Sequence, residues 1–148
     1  MHNTHITHMK IKVLTTAIVF LSSLAAAASA QPPAKIRHIQ TIGITGEALA
    51  AGISDTLRLG KMHSGEVAVK SVALRNDTDK PFVIVRHENS CGCATFKYGR
   101  KPVQPGEYAD IECTFDSRGT YGWQMKLAKF HLSGGKNPVR IFIDAEVE

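Results

Sequence analysis

Apolar and polar residues alternate most cleanly at the C-terminal end of the chain. Val139, Ile141, Ile143, Ala145 and Val147 fall in one phase, and Arg140, Asp144, Glu146 and Glu148 in the other. A period of two puts each set on its own face of a β-strand. Between Val103 and Phe115 the pattern is broken by Pro105-Gly106, after which Ile111, Cys113 and Phe115 share one face. Thr56-Leu57-Arg58-Leu59 alternates and stops at Gly60. Tyr121 to Leu132 reads as a further strand, with Trp123, Met125 and Leu127 in one phase and Phe130 and Leu132 in the other. Glu66 to Arg75 also changes phase, from Val67 and Val69 to Val72 and Leu74, which predicts a bulge or a change of sheet near Lys70-Ser71. Phe82 to Val85 is a continuous apolar run, the pattern of a strand buried on both faces or lying at a sheet centre.

Turn chemistry separates these runs. Asn76 to Pro81, Asp116 to Gly119 and Ser133 to Pro138 are rich in Asn, Asp, Ser, Gly and Pro. Asn76-Asp77-Thr78 is formally a glycosylation sequon and is read here as a turn. Before Asp55 the pattern is weaker: Ile36 to Ile44 is a weak strand candidate, and Gly46 to Gly52 a short helical turn or loop. Strands with turns every ~8–12 residues and no long helix predict an all-β fold, a β-sandwich with a small barrel as its rival. Its expected core is Val72, Leu74, Phe82, Ile84, Ile111, Phe115, Trp123, Phe130, Ile141 and Ile143.

The first thirty residues change the picture of where the protein works. Lys10 and Lys12 precede an apolar run from Val13 to Ala28, and Ala28-Ser29-Ala30 is a small-x-small cleavage signature. This is a secretory signal peptide, shorter than the ~20 apolar residues of a membrane span. No cysteine follows it, which argues against a lipoprotein anchor. His2, His5 and His8 lie upstream of Met9, which is itself a plausible start, and leave with the signal. Residues 1–30 are therefore the signal, 31–54 an N-terminal extension with room for one extra strand, and 55–148 the main domain. Cleavage takes 30 of 148 residues and leaves 118, enough for one domain with its own core. It also removes two lysines and no acid, so a net charge of +5 becomes +3. That excess is too small for a nucleic-acid footprint. Lys97, Arg100 and Lys101 gather around Tyr98, a grouping that suits a solvated loop better than an anion site.

The residue order is also informative. Gly65-Glu66, Asn76, Pro81-Phe82-Val83-Ile84, Ser90-Cys91-Gly92-Cys93, Pro105-Gly106-Glu107 and Phe115-Asp116-Ser117 follow one another along the chain. This ordered set resembles a bacterial secreted family of unknown function, domain of unknown function 1573. The resemblance spans Asp55 to the C-terminus. It implies an immunoglobulin-like β-sandwich of roughly seven to nine strands, similar to ASPM–SPD-2–Hydin-type domains. It also implies export, and no established activity. The chain departs from the family in having Leu59-Gly60 for the usual Phe-Gly, Ala94 between Cys93 and Thr95, and Cys113 where the family has an apolar residue.

The candidate chemistry centres on Cys91-Gly92-Cys93. Glycine lets two sulfurs converge. In an oxidising compartment the pair is a tight disulfide, a redox pair or half of a soft-metal site. A disulfide across one residue closes a small ring, which suits a labile bond. A catalytic dithiol sits at a helix N-terminus, and Ala94 to Tyr98 reads as β instead. A metal such as Cu(I) would take Cys91 and Cys93, with His87 as a third ligand. The structural role, bracing a loop, is the favoured one. Cys113 is expected as a buried free thiol. His38, His63, His87 and His131 show no ligand spacing, and Ser90 lacks the context of a nucleophile elbow. Tyr121 and Trp123, if exposed, would form an aromatic patch for a protein partner. Their phase favours the core.

These residues predict an exported, non-catalytic module that binds another envelope protein or scaffolds it, periplasmic or secreted. No cofactor, no nucleic acid and no membrane span after cleavage are expected. The alternative is a thiol-redox or copper-binding periplasmic protein using Cys91 and Cys93.

Overall fold

The structure, a computed structural model, describes residues 40–148. The expected signal peptide, with His2, His5 and His8, and the residues Ile36, His38 and Ile39 lie outside the described residues. In chain order the elements are β1 (Thr41–Ile44), α1 (Gly46–Ala51), β2 (Ile53–Met62), β3 (Val67–Asn76), β4 (Ile84–Asn89), β5 (Ala94–Tyr98), β6 (Tyr108–Asp116), β7 (Gly122–Leu132) and β8 (Val139–Val147).

The strands form two four-stranded sheets, β1-β3-β6-β5 and β2-β8-β7-β4. The fold is thus an all-β sandwich. If β2 to β8 are labelled A to G, one sheet carries B-E-D and the other A-G-F-C. That is the immunoglobulin arrangement with the first strand paired to the last. The β2–β8 pair is parallel and the β3–β6, β5–β6, β4–β7 and β7–β8 pairs are antiparallel. Ile42 and Ile44 of β1 and Ala48 of α1 join the buried set.

The alternation of β8 appears directly in its burial, with all five odd residues from Val139 to Val147 inside. Ile111, Cys113 and Phe115 face them from β6 without solvent exposure. Phe82, Ile84 and Phe130 complete the middle of the core. Nine of the ten expected core residues are buried; Trp123 is the exception, at 67% exposure.

The reason lies in register. β7 pairs with β8 without a slip from Gly122↔Val147 to Phe130↔Val139. Ala128, Phe130 and Leu132 face inward, so Trp123 and Met125 in the opposite phase must face outward. The first half of β7 is inverted, with Gln124 and Lys126 on the inward phase and the large apolar residues outside.

Two other expectations are corrected in the same way. β3 holds one register against β6 from Val67↔Asp116 to Arg75↔Tyr108, so there is no bulge near Lys70-Ser71. Val67 and Val69 are exposed on the outer face instead. Phe82 to Val85 is not doubly buried: Phe82 makes an isolated bridge to Val103, and Val85 is exposed where the β4–β7 register shifts.

Two buried polar residues tie the loops to this core. Asn76 donates from Nδ2 to the Lys80 and Val103 carbonyls at 2.9 and 2.8 Å, and its Oδ1 accepts from the Thr78 amide and hydroxyl. The amide nitrogen of the sequon is therefore fully used inside the protein. Ser117 Oγ accepts from the Gly65 amide and donates toward the His63 and Glu66 carbonyls, tying the β6–β7 turn to the β2–β3 turn.

Ile111→Ala removes three carbons from a site closed to solvent, and is expected to cost about 2–5 kcal/mol of unfolding free energy. Trp123→Ala should cost less than about 1 kcal/mol. Urea melts of the two variants measure the difference, and equal losses would return Trp123 to the core.

Candidate functional site

Cys91 and Cys93 lie in the connection between β4 and β5, which crosses from one sheet to the other at one side of the sandwich. They form a disulfide, with the sulfurs 1.99 Å and the Cα atoms 5.3 Å apart. Both are half-buried and pack against the core. The crossing is also held without the sulfurs. The Ser90 amide donates to the Leu127 carbonyl at 2.8 Å, and the Leu127 amide donates to Ser90 Oγ at 2.9 Å. Asn89 Nδ2 donates to the Cys91 and Ala94 carbonyls, and the Asp116 amide to the Cys93 carbonyl. β5 starts at Ala94, directly after the pair, so no helix dipole acts on either sulfur.

Gly92 plays a smaller part than expected. It is absent from the glycines with positive φ, and a Cβ built on it meets nothing within 4 Å. The residue between the cysteines is therefore open to a side chain, and the backbone turn does not depend on glycine.

His87 points into an aromatic cluster that fills the space between the edge strands β4 and β5. Its Nδ1 lies 2.9 Å from the Tyr98 hydroxyl. Its ring centroid is 5.4 Å from those of Phe96 and Tyr98, and it stacks on Phe130 at 5.7 Å. The histidine reads as a core-side packing residue with one polar partner. Among the described residues, no group of three or more His, Cys, Asp or Glu is placed to hold a metal ion. The Cys91 and Cys93 sulfurs are bonded to each other, so in this state neither is a thiolate ligand.

Cys113 is fully buried in the core and free, as its neighbours Ile111 and Phe115 predict. Burial pushes its thiol up to about 11. At the surface, His131 Nε2 lies 3.1 Å from Glu88 Oε1, and the Arg86 guanidinium beside Glu88 holds that carboxyl below the usual range. Ser90 Oγ is spent on the Leu127 amide.

Sequence reasoning missed the part played by the shared motif residues. Glu66 accepts from the His63 amide at 2.9 Å, and Glu107 accepts from the Gln104 amide at 3.1 Å, each closing its own turn. Asn76 and Ser117 close two more. The signature that carries the family resemblance is largely a set of turn locks. Dense Asn, Ser and Gly at the strand ends was the available signal.

The apolar row at the start of β7, whose phase favours the core, faces solvent instead. Tyr121, Trp123 and Met125 are 78%, 67% and 41% exposed. Trp123 Nε1 donates to Asp144 Oδ1 at 2.8 Å across the β7–β8 ladder, which fixes the indole.

Two measurements follow from the cysteines. Replacing Cys91 and Cys93 together with Ser should lower stability by about 1–2 kcal/mol, the entropy of a very short loop, and leave the fold intact because the Ser90, Asn89 and Asp116 bonds remain. A circular-dichroism melt checks this, and loss of folding would make the disulfide essential. For Cys113, the folded thiol keeps its proton up to about 11, while an unfolded one releases it near 9.0. The unfolded state then binds fewer protons, so stability is lost as pH rises through that window. Cys113→Val should flatten the decline in denaturant melts between these two values. A decline of unchanged slope would contradict the assignment.

The comparisons with known proteins bear on this geometry. A family model described as protein of unknown function (DUF1573) matches residues 52–147. No functionally curated protein matches the chain. A solved protein of unknown function from Porphyromonas gingivalis W83 is similar at TM-score 0.55 and 18% identity, over 63% of this chain and 44% of that one. The protease VesB from Vibrio cholerae is similar at TM-score 0.51 and 16% identity, over 63% and 30%. The secreted serine protease VesC, also from Vibrio cholerae, is similar at TM-score 0.50 and 11% identity, over 61% and 21%. The chain spans less than half the length of each of these proteins, and at such identities the likeness is one of fold. The match over residues 52–147 covers most of the sandwich, and the chain belongs to the DUF1573 family of proteins of unknown function.

Proposed function

We propose that this chain is an exported, non-catalytic module that binds another protein of the bacterial cell envelope, in the periplasm or outside the cell. The observation that carries the reading is the exposure of Trp123 and Met125 on the first half of β7, which is laddered to β8. The β7–β8 ladder, and for Trp123 the bond to Asp144, hold these side chains outward, so their apolar area is presented at little conformational cost. Glu146 and Asp144 of β8 lie opposite Trp123 and Met125, and Lys61 of β2 lies beyond Glu146. An apolar centre with a polar rim and an aromatic anchor is the anatomy of a protein contact.

Export is supported by Lys10, Lys12, the Val13–Ala28 run and the Ala28-Ser29-Ala30 site. The Cys91–Cys93 disulfide suits an oxidising compartment. The non-catalytic reading is supported by what the shared polar residues do: Glu66, Asn76, Glu107 and Ser117 are spent on turns. Among the described residues no helix is long and apolar enough to cross a membrane.

A photo-crosslinking residue placed at Met125 in cells should trap one discrete envelope protein, while the same residue at Val69 on the opposite sheet should not. The trapped chain should begin at Gln31 on N-terminal sequencing. Equal adducts from both faces would remove the β7 row as the contact, and a chain retaining the Val13–Ala28 run would remove export.

A further inference from the structure

Beside Trp123 the outer face of the β2-β8-β7-β4 sheet is hollowed. The hollow has a volume of about 240 Å³, and its lining includes Arg58, Gly60, Lys61, Trp123, Asp144 and Glu146. Its shape comes from the backbone. The β2–β8 register slips between Arg58 and Gly60, and Gly60 sits at φ 83°, where an L side chain is strained. Gly60 therefore contributes backbone alone, in open space.

We infer that this hollow is a binding site for a sugar ring of an uncharged oligosaccharide, with the indole of Trp123 as its platform. Three features carry the inference. The first is the indole, which is largely exposed yet held by its bond to Asp144 Oδ1, so a flat apolar surface is ready before any ligand arrives. The C–H face of a sugar ring packs on such a surface and leaves water with it.

The second is the balance of charge. Two cations, Arg58 and Lys61, stand with two carboxylates, Asp144 and Glu146, so an ionic ligand of either sign meets as much repulsion as attraction. Hydroxyl groups both donate and accept, and a polyol uses both kinds of partner without a net charge.

The third is that the polar groups can move to meet a ligand. Lys61 lies 3.6 Å from Glu146 and from Glu148, all three exposed. Exposed pairs at such separations hold each other weakly. Their rearrangement onto ligand hydroxyls costs little. The inference stands on the hollow alone and does not need the protein contact proposed above.

Trp123 is the single tryptophan of the chain, so intrinsic fluorescence reports on the site directly. Titration of the full chain with cellotetraose and with chitotetraose is expected to give a saturable change in emission with at least one of them. By calorimetry, Trp123→Ala should weaken that binding about tenfold or more. Arg58→Ala should weaken it by a smaller factor, with both melting temperatures kept near the parent's. No saturable response to either sugar up to about 10 mM overturns the inference. So does unchanged binding by Trp123→Ala, or tighter binding of a charged tetragalacturonate. Loss of the Met125 crosslink in Trp123→Ala without any response to sugar would assign the face to a protein partner and remove the sugar site. A sugar response with no crosslinked protein would remove the protein contact and keep the sugar site.

Discussion

The unbroken β7–β8 ladder governs the rest of this structure. Once Phe130 pairs with Val139, a register without a slip sets every residue back to Gly122. Ala128, Phe130 and Leu132 bury their side chains against the opposite sheet, and Trp123 and Met125 follow outward. The driving force is apolar burial of the second half of the strand, at ~25 cal/mol per Å². The first half has no independent choice, because a one-residue slip would expose the whole buried set. A large indole is thereby left on a rigid outer face. The contact row and the hollow beside it are both consequences of that single register.

At the side of the sandwich where β4 passes to β5, a different constraint operates. Among the described residues neither edge strand has a further strand to pair with, and the two sheets are joined there by side chains and a crossing loop. His87, Phe96, Tyr98 and Phe130 fill the gap, and the Cys91–Cys93 disulfide closes the loop beside the Asn89 and Ser90 bonds. This accounts for a cysteine pair that is followed by a strand rather than a helix and that, among the described residues, has no third ligand at hand. The same economy extends to the other shared polar residues, which spend their hydrogen bonds on backbone groups at strand ends. Buried amides and hydroxyls are tolerated only when so satisfied, and Asn76 and Ser117 each meet that condition.

The family resemblance therefore reports mainly on scaffold. Glu66 and Glu107 lock turns, Asn76 and Ser117 join loops, and Phe115 fills the core. The face proposed to bind carries none of these motifs. A module of this kind can keep its frame while its outer sheet residues suit different ligands.

What the sequence determined by itself was the fold class, the strands with clean alternation and the fate of Cys113. Those follow from local rules: a period of two for β6 and β8, turn residues at Asn76 and Asp116, and an apolar neighbourhood for a thiol between Ile111 and Phe115. The direction of a strand's faces is another matter. For β7 the sequence offers two apolar phases, and for β3 two more, and nothing local ranks them. Pairing ranked them, because each ladder admits one phase along its length and the opposite sheet accepts the set that packs. The hollow at Trp123 is further removed, since it joins Arg58 of β2 to Asp144 of β8 and Trp123 of β7. Residues so far apart in the chain meet only through the parallel β2–β8 pairing and its bulge at Gly60, which no periodicity records.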